Sequence, residues 1–129
     1  MKTVLLFLAL VCAVIVGSSS ASTSAAAKKD RAVARFDQPV VLLGTTLQGE
    51  YLFVHDDAAM ARGENCTFVY KGVSEDKDKL VLSFHCIPEL RSKVSSFTFR
   101  TSLTPAGITE LREIQFEGST EAHLVPPNK

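Results

Sequence analysis

A chain of 129 residues with 14 basic and 14 acidic side chains has no net charge, and its lysines and arginines are scattered along it. Such a distribution leaves no electrostatic footprint for nucleic acid or for an anionic membrane surface. Tryptophan is absent and only Tyr51 and Tyr70 carry phenols, which argues against an aromatic platform for sugars or bases.

The chain opens Met1-Lys2-Thr3 and continues as an apolar run from Val4 to Val16 that includes Cys12. A basic start, an apolar stretch shorter than the ~20 residues needed to cross a bilayer and a tail of Ser and Ala predict a secretory signal peptide over 1–21, cleaved after Ala21. Ala25-Ala26-Ala27 offers a second cleavage position. The mature protein is then expected to be secreted or periplasmic, without a membrane span once the leader is gone. Cleavage removes Cys12 and leaves Cys66 and Cys86, and two cysteines in an oxidising compartment predict one disulfide. On the order of one hundred residues remain, enough for one domain with a modest core.

Residues 22–32 are rich in Ser, Ala and charge and read as a flexible lead-in. A single β domain is expected over 33–125, with 126–129 a disordered tail that starts at Pro126-Pro127. Within the domain, Ala34–Phe36 and Val40–Leu43 read as two short strands about a turn or bulge at Asp37-Gln38-Pro39. Gly44 to Glu50 reads as a loop. Tyr51 to His55 reads as a strand with apolar residues on both sides, hence two covered faces.

The pattern Phe36-x-x-Pro39-Val40, Gly44-x-x-Leu47, Gly49-x-Tyr51 resembles the opening of small secreted all-β bacterial proteins, mostly of unknown function. Their pattern runs F-x-x-P-V, P-G-x-x-L, P-A-G-x-Y. Leu43 stands here where a proline is usual, and Gln48 replaces the Pro-Ala pair. The resemblance implies an all-β fold and carries over no catalytic residue.

Asp56 to Gly63 predicts one helical turn, capped by Asp56 or Asp57 and ended by Gly63. Asn65-Cys66-Thr67 fits the N-glycosylation triplet, but a middle residue held in a disulfide makes modification of Asn65 unexpected. The run from Cys66 to Cys86 reads as a hairpin, two β-rich arms about a charged tip. Folding it about Asp76 pairs Tyr70 with Leu82, Phe68 with Phe84 and Cys66 with Cys86 on one face. A disulfide there is worth roughly 3 kcal/mol on the chain-entropy model.

Beyond it, Ile87 to Lys93 reads as a polar loop with Pro88 ending the strand. Ser95 to Ser102 alternates, with Phe97 and Phe99 inward. Thr104-Pro105-Ala106-Gly107 is a turn, Ile108 to Phe116 a largely solvent-facing arm, and Glu121 to Val125 a short last strand. About seven or eight short strands with frequent turns predict an all-β fold, an antiparallel β-sandwich or barrel with one disulfide-stapled hairpin.

Three histidines, His55, His85 and His123, lie near predicted strand ends, with Asp56, Asp57 and Met60 close to the first, and supply the raw material of a Zn(II) or copper site. No close His pair exists, so distant segments would have to converge, and strand parity places His55 and His85 on opposite faces. Ser83 and His85 lack a nucleophile elbow. Asp56-Asp57 reads as a helix cap, and Glu75, Asp76 and Asp78 as a solvated tip without the oxygen set of a Ca(II) loop. The expected function is that of an exported, non-enzymatic β domain without a cofactor, a binding or envelope protein whose partner is another envelope or extracellular protein. Small envelope inhibitors of hydrolases share this size and fold. The alternative is a periplasmic metal-binding protein that uses His55, His85 and His123. A small hydrolase would need a polar cluster that the spacing does not reveal.

Overall fold

The computed structural model describes residues 28–128. The expected signal peptide over 1–21 and residues 22–27 of the expected lead-in lie outside them, as does Lys129. Among the described residues the chain is mostly β, with eight strands and one short helix. The strands are β1 (Lys29–Leu42), β2 (Thr45–Asp56), β3 (Thr67–Lys71), β4 (Leu80–Phe84), β5 (Ile87–Leu90), β6 (Thr98–Leu103), β7 (Thr109–Gln115) and β8 (Glu121–Leu124). The helix, α1 (Asp57–Ala61), follows β2. No helix among these residues is long and apolar enough to cross a membrane.

The strands form one curled sheet in the order β4-β3-β2-β1-β7-β8-β5, with β6 on the remaining edge of β7. Neighbours are antiparallel except β1 and β7, which run parallel where Val41 meets Glu110. The continuous ladder distinguishes this from two separate antiparallel sheets. β4 and β5 stand at opposite ends of the strand order, yet only His85 and Cys86 separate them in sequence. A two-residue link reaches about 10 Å at most, so the sheet must curl until its two ends meet. Cys86 sits in that seam.

β1 and β2 form the frame. The turn between them is two residues long, Leu43 at φ 47° and Gly44 at φ 83°. Positive φ at both central positions is the primed geometry that matches strand twist. It lets β2 begin at Thr45 where a loop to Glu50 was expected. β1 also begins earlier than the expected onset at Val33. Lys29 pairs with Asp56 and Arg31 with Val54, while Lys29–Asp56 and Arg31–Glu75 ion pairs at 3.9 and 2.7 Å occupy its charges. Asp37, Gln38 and Pro39 bulge out between Phe36 and Val40, which keeps Ala34, Phe36, Val40 and Leu42 all buried on one side.

Facing them are Leu47, Tyr51, Phe53 and His55. Leu52 and Val54 are buried on the other face, flanked by Val33 and Arg31 of β1 and by Tyr70 and Phe68 of β3. Complete burial of Phe53 contributes about 2–3 kcal/mol by transfer. Its ring meets Phe36 at 6.3 Å and Phe97 at 5.6 Å, and Phe97 meets Phe116 at 5.1 Å, so aromatic side chains line the interior.

The β3–β4 hairpin forms, but in another register. Thr67 pairs with Phe84, Phe68 with Ser83 and Val69 with Leu82, and a bulge then sets Tyr70 against Leu80. Phe68 therefore does not oppose Phe84. Thr67 and Val69 are the buried residues of β3, while Phe68 and Tyr70 are half-buried. The expected pairing assumed an unbroken ladder, and the bulge changes the count. Asp76 caps a 3-10 turn at Lys77–Lys79.

Two further differences lie in the C-terminal half. Ile87–Leu90 is an edge strand paired with β8, which tolerates Pro88 because one side of an edge strand is unpaired. β7 is buried at Leu111, Glu113, Ile114 and Gln115, where a solvent-facing arm was expected. It lies between β6 on one edge and β1 and β8 on the other. Its polar residues are matched: Glu113 lies 2.8 Å from Arg91 and 3.0 Å from Arg100, and Gln115 donates to the Ser92 and Ser119 carbonyls at 2.8 Å. Phe97 is half-buried, whereas Phe99 remains 38% exposed.

Candidate metal centre at the sheet seam

Pairing register brings four chemically active side chains together. His55, near the end of β2, pairs with Thr67, the first residue of β3. Cys66 immediately precedes Thr67, so its sulfur falls beside the His55 ring. Cys86 enters the seam just before β5, whose Pro88 pairs with His123 of β8. The Cys86 sulfur becomes the hub: it lies 2.9 Å from Cys66 Sγ, 3.4 Å from His55 Nε2 and 3.5 Å from His123 Nδ1. The donor atoms of His55, Cys66 and Cys86 all lie within 4.8 Å of one another. The two imidazoles stack at 3.9 Å, with Phe116 at 6.4 and 6.0 Å from them.

The cluster is dry. His55, Cys66 and Cys86 are 0% exposed and His123 2%. Burial lowers the pKa of both histidines, that of His123 to about 4 with His55 as the next cause. Two stacked buried rings cannot both be charged, so both are neutral near pH 7, the form that ligates metals. Burial, then the Cys66 sulfur, pushes the Cys86 thiol up to about 12. In the metal-free protein that thiol is protonated, which argues against a reactive nucleophile.

Two groups surround the cluster without normal partners. His55 Nδ1 lies 3.1 Å from Asp57 Oδ1, off the direction of a hydrogen bond, with Asp30 part of the same group. A carboxylate on that side favours the proton on Nδ1 and leaves the Nε2 lone pair facing Cys86, the arrangement of metal-bound histidines backed by carboxylates. Thr67 Oγ1 is buried without a hydrogen-bond partner. A thiolate at Cys86 would give that hydroxyl an acceptor and would be favoured by it.

Asp56 caps α1, accepting from Ala58 N and Ala59 N at 3.0 and 3.2 Å. This turn presents Met60, whose Sδ lies 4.0 Å from Cys86 Sγ.

Of the three histidines singled out in the sequence, His55 and His123 converge and His85 does not. His85 is exposed, with Nδ1 2.8 Å from the Glu64 carbonyl oxygen. Asn65 is exposed and donates to Ser83 Oγ at 3.0 Å. Cys66 and Cys86 are adjacent as expected, but as free thiols and not at bonding distance. The missed members of the cluster were the cysteines themselves, assigned to each other and so withdrawn from the pool of ligands, together with Thr67; Met60, singled out beside His55, does approach the cluster. Comparison with protein-family models, with curated proteins and with solved structures returned no match.

Proposed function

We propose that the chain is an exported, non-enzymatic β domain that binds a transition-metal ion through His55, Cys66, Cys86 and His123. The observation that carries this reading is the convergence of two neutral imidazoles and two thiols in a buried interior. Packing alone does not require four such side chains where apolar ones would serve. A nitrogen and thiolate set of this kind suits Zn(II) or copper. Sulfurs sharing a tetrahedral ion with bonds of about 2.3 Å stand about 3.8 Å apart. The 2.9 Å separation is therefore opened by about 1 Å on binding. The ion would join strand ends that the curled sheet brings to its seam.

A second reading has its own support. The same separation closes by about 1 Å to a disulfide of roughly 2.05 Å, which returns the protein to a stapled binding or envelope domain. That bond accounts for the sulfurs and leaves the stacked histidines without a task. The two readings separate on the protein purified from its native compartment and on the same protein after anaerobic reduction. Titration of the reduced form with Zn(II) or Cu(I) against a chromophoric chelator should show one ion per chain. The uptake should vanish in Cys86→Ser and persist in His85→Ala. No uptake by the reduced protein, with no free thiols in the denatured unreduced one, removes the metal reading in favour of the disulfide.

A further inference from the structure

Five donors surround the Cys86 sulfur or belong to its cluster, and one of them differs in kind. Met60 Sδ approaches Cys86 Sγ to 4.0 Å, and its side chain is half-buried while the histidines and cysteines are sealed. We infer that Met60 is a metal ligand at the rim of this site, and that the ion the site is built for is Cu(I). The inference rests on the metal-binding reading above and specifies its ion.

Three observations support it. Thioethers and thiolates select soft monovalent copper, whereas Zn(II) is satisfied by thiolate, imidazole and carboxylate and has little use for methionine. His55, Cys66, Cys86 and His123 would already complete a tetrahedral Zn(II) site, so a directed thioether adds something only for copper. Second, Met60 is not loosely placed. α1 is a single turn fixed by the Asp56 cap, and the same turn carries Asp57 against His55 Nδ1 at 3.1 Å. One capped turn thus supplies a thioether to the cluster and orients one of its imidazoles. Third, Met60 is the one donor of the five that meets solvent. It is the donor at which the cluster comes nearest to solvent, and a weakly held soft ligand there suits capture and release of a soft ion.

The test uses the reduced full-length protein under anaerobic conditions. Cu(I) affinity is measured by competition with a bicinchoninate-type chelator and Zn(II) affinity with a chromophoric zinc indicator, in the parent and in Met60→Leu. The expected result is a Cu(I) affinity lowered at least tenfold in Met60→Leu with Zn(II) affinity unchanged. Equal losses for both ions assign Met60 a packing role and overturn the inference, as does no loss for either. A readout that needs no folded variant is the ¹³C methyl signal of Met60 in labelled parent protein. The chain has two methionines, Met1 and Met60, so assignment is direct. Silver(I), a redox-inert stand-in for Cu(I), should shift that signal at one equivalent and Zn(II) should not. An unmoved signal with silver bound overturns the ligand assignment. Absence of any ion binding by the parent is a different outcome, since it removes the metal reading itself.

Discussion

Thr67→Val sets stability against function at one atom. Thr67 is 0% exposed and its Oγ1 has no hydrogen-bond partner among the described residues. A buried hydroxyl in that condition costs about 1–3 kcal/mol relative to a satisfied one, and its replacement by an apolar group of the same shape recovers part of the loss. Valine has the shape of threonine and suits a strand. The variant should therefore be more stable in the metal-free, reduced state by about 1 kcal/mol, a rise of roughly 4–8 °C in Tm for a domain of this size. The hydroxyl acquires a purpose when Cys86 becomes a thiolate, because it can then donate to a negatively charged sulfur. Loss of such a supporting hydrogen bond weakens metal binding about tenfold or more. Thermal melts of the reduced apoprotein and a Cu(I) competition titration, each run on parent and variant, test both halves. A Thr67→Val protein that melts lower, or that binds the ion as tightly as the parent, refutes the reasoning.

Three more outcomes are expected. Burial holds the His123 pKa at about 4 against 6.5 in the unfolded chain, so below pH 6.5 the unfolded state binds more protons and the fold loses stability as pH falls toward 4. Between pH 7 and pH 5 the metal-free protein should lose on the order of 2 kcal/mol through this group; urea midpoints should drop accordingly, and less in His123→Phe. Asp57→Asn should weaken the hold on His55 and lower metal affinity roughly tenfold, while the circular dichroism spectrum stays that of the parent. Gly44→Ala places a Cβ at φ 83°, where no atom crowds it but the backbone is strained, and should cost about 1–2 kcal/mol in a denaturant titration.

Much of the β architecture was legible because strand alternation and turn residues are local. The helical turn at Asp56–Gly63, the Thr104–Gly107 turn, the last strand and the overall all-β class all follow from runs of a few residues. The errors arose where pairing partners decide. Lys29–Ala32 looked too polar for order, yet β2 extends beside it and its charges find partners. Ile108–Phe116 reads as largely solvent-facing, yet two arginines and two carbonyls allow its Glu113 and Gln115 to be buried. The hairpin register failed by one residue at a bulge that no composition rule specifies.

The sequence by itself determined a strand-rich chain with His55 at one strand end, His123 in the last strand and Cys66 and Cys86 flanking a hairpin. Their meeting was decided by tertiary structure alone. His55 and His123 are far apart in sequence and share no short spacing, so only the order β4-β3-β2-β1-β7-β8-β5 and the two-residue link at His85-Cys86 bring them face to face. Curling a sheet is a long-range property of all its pairings, whereas the place of each of these side chains on its own strand was written locally.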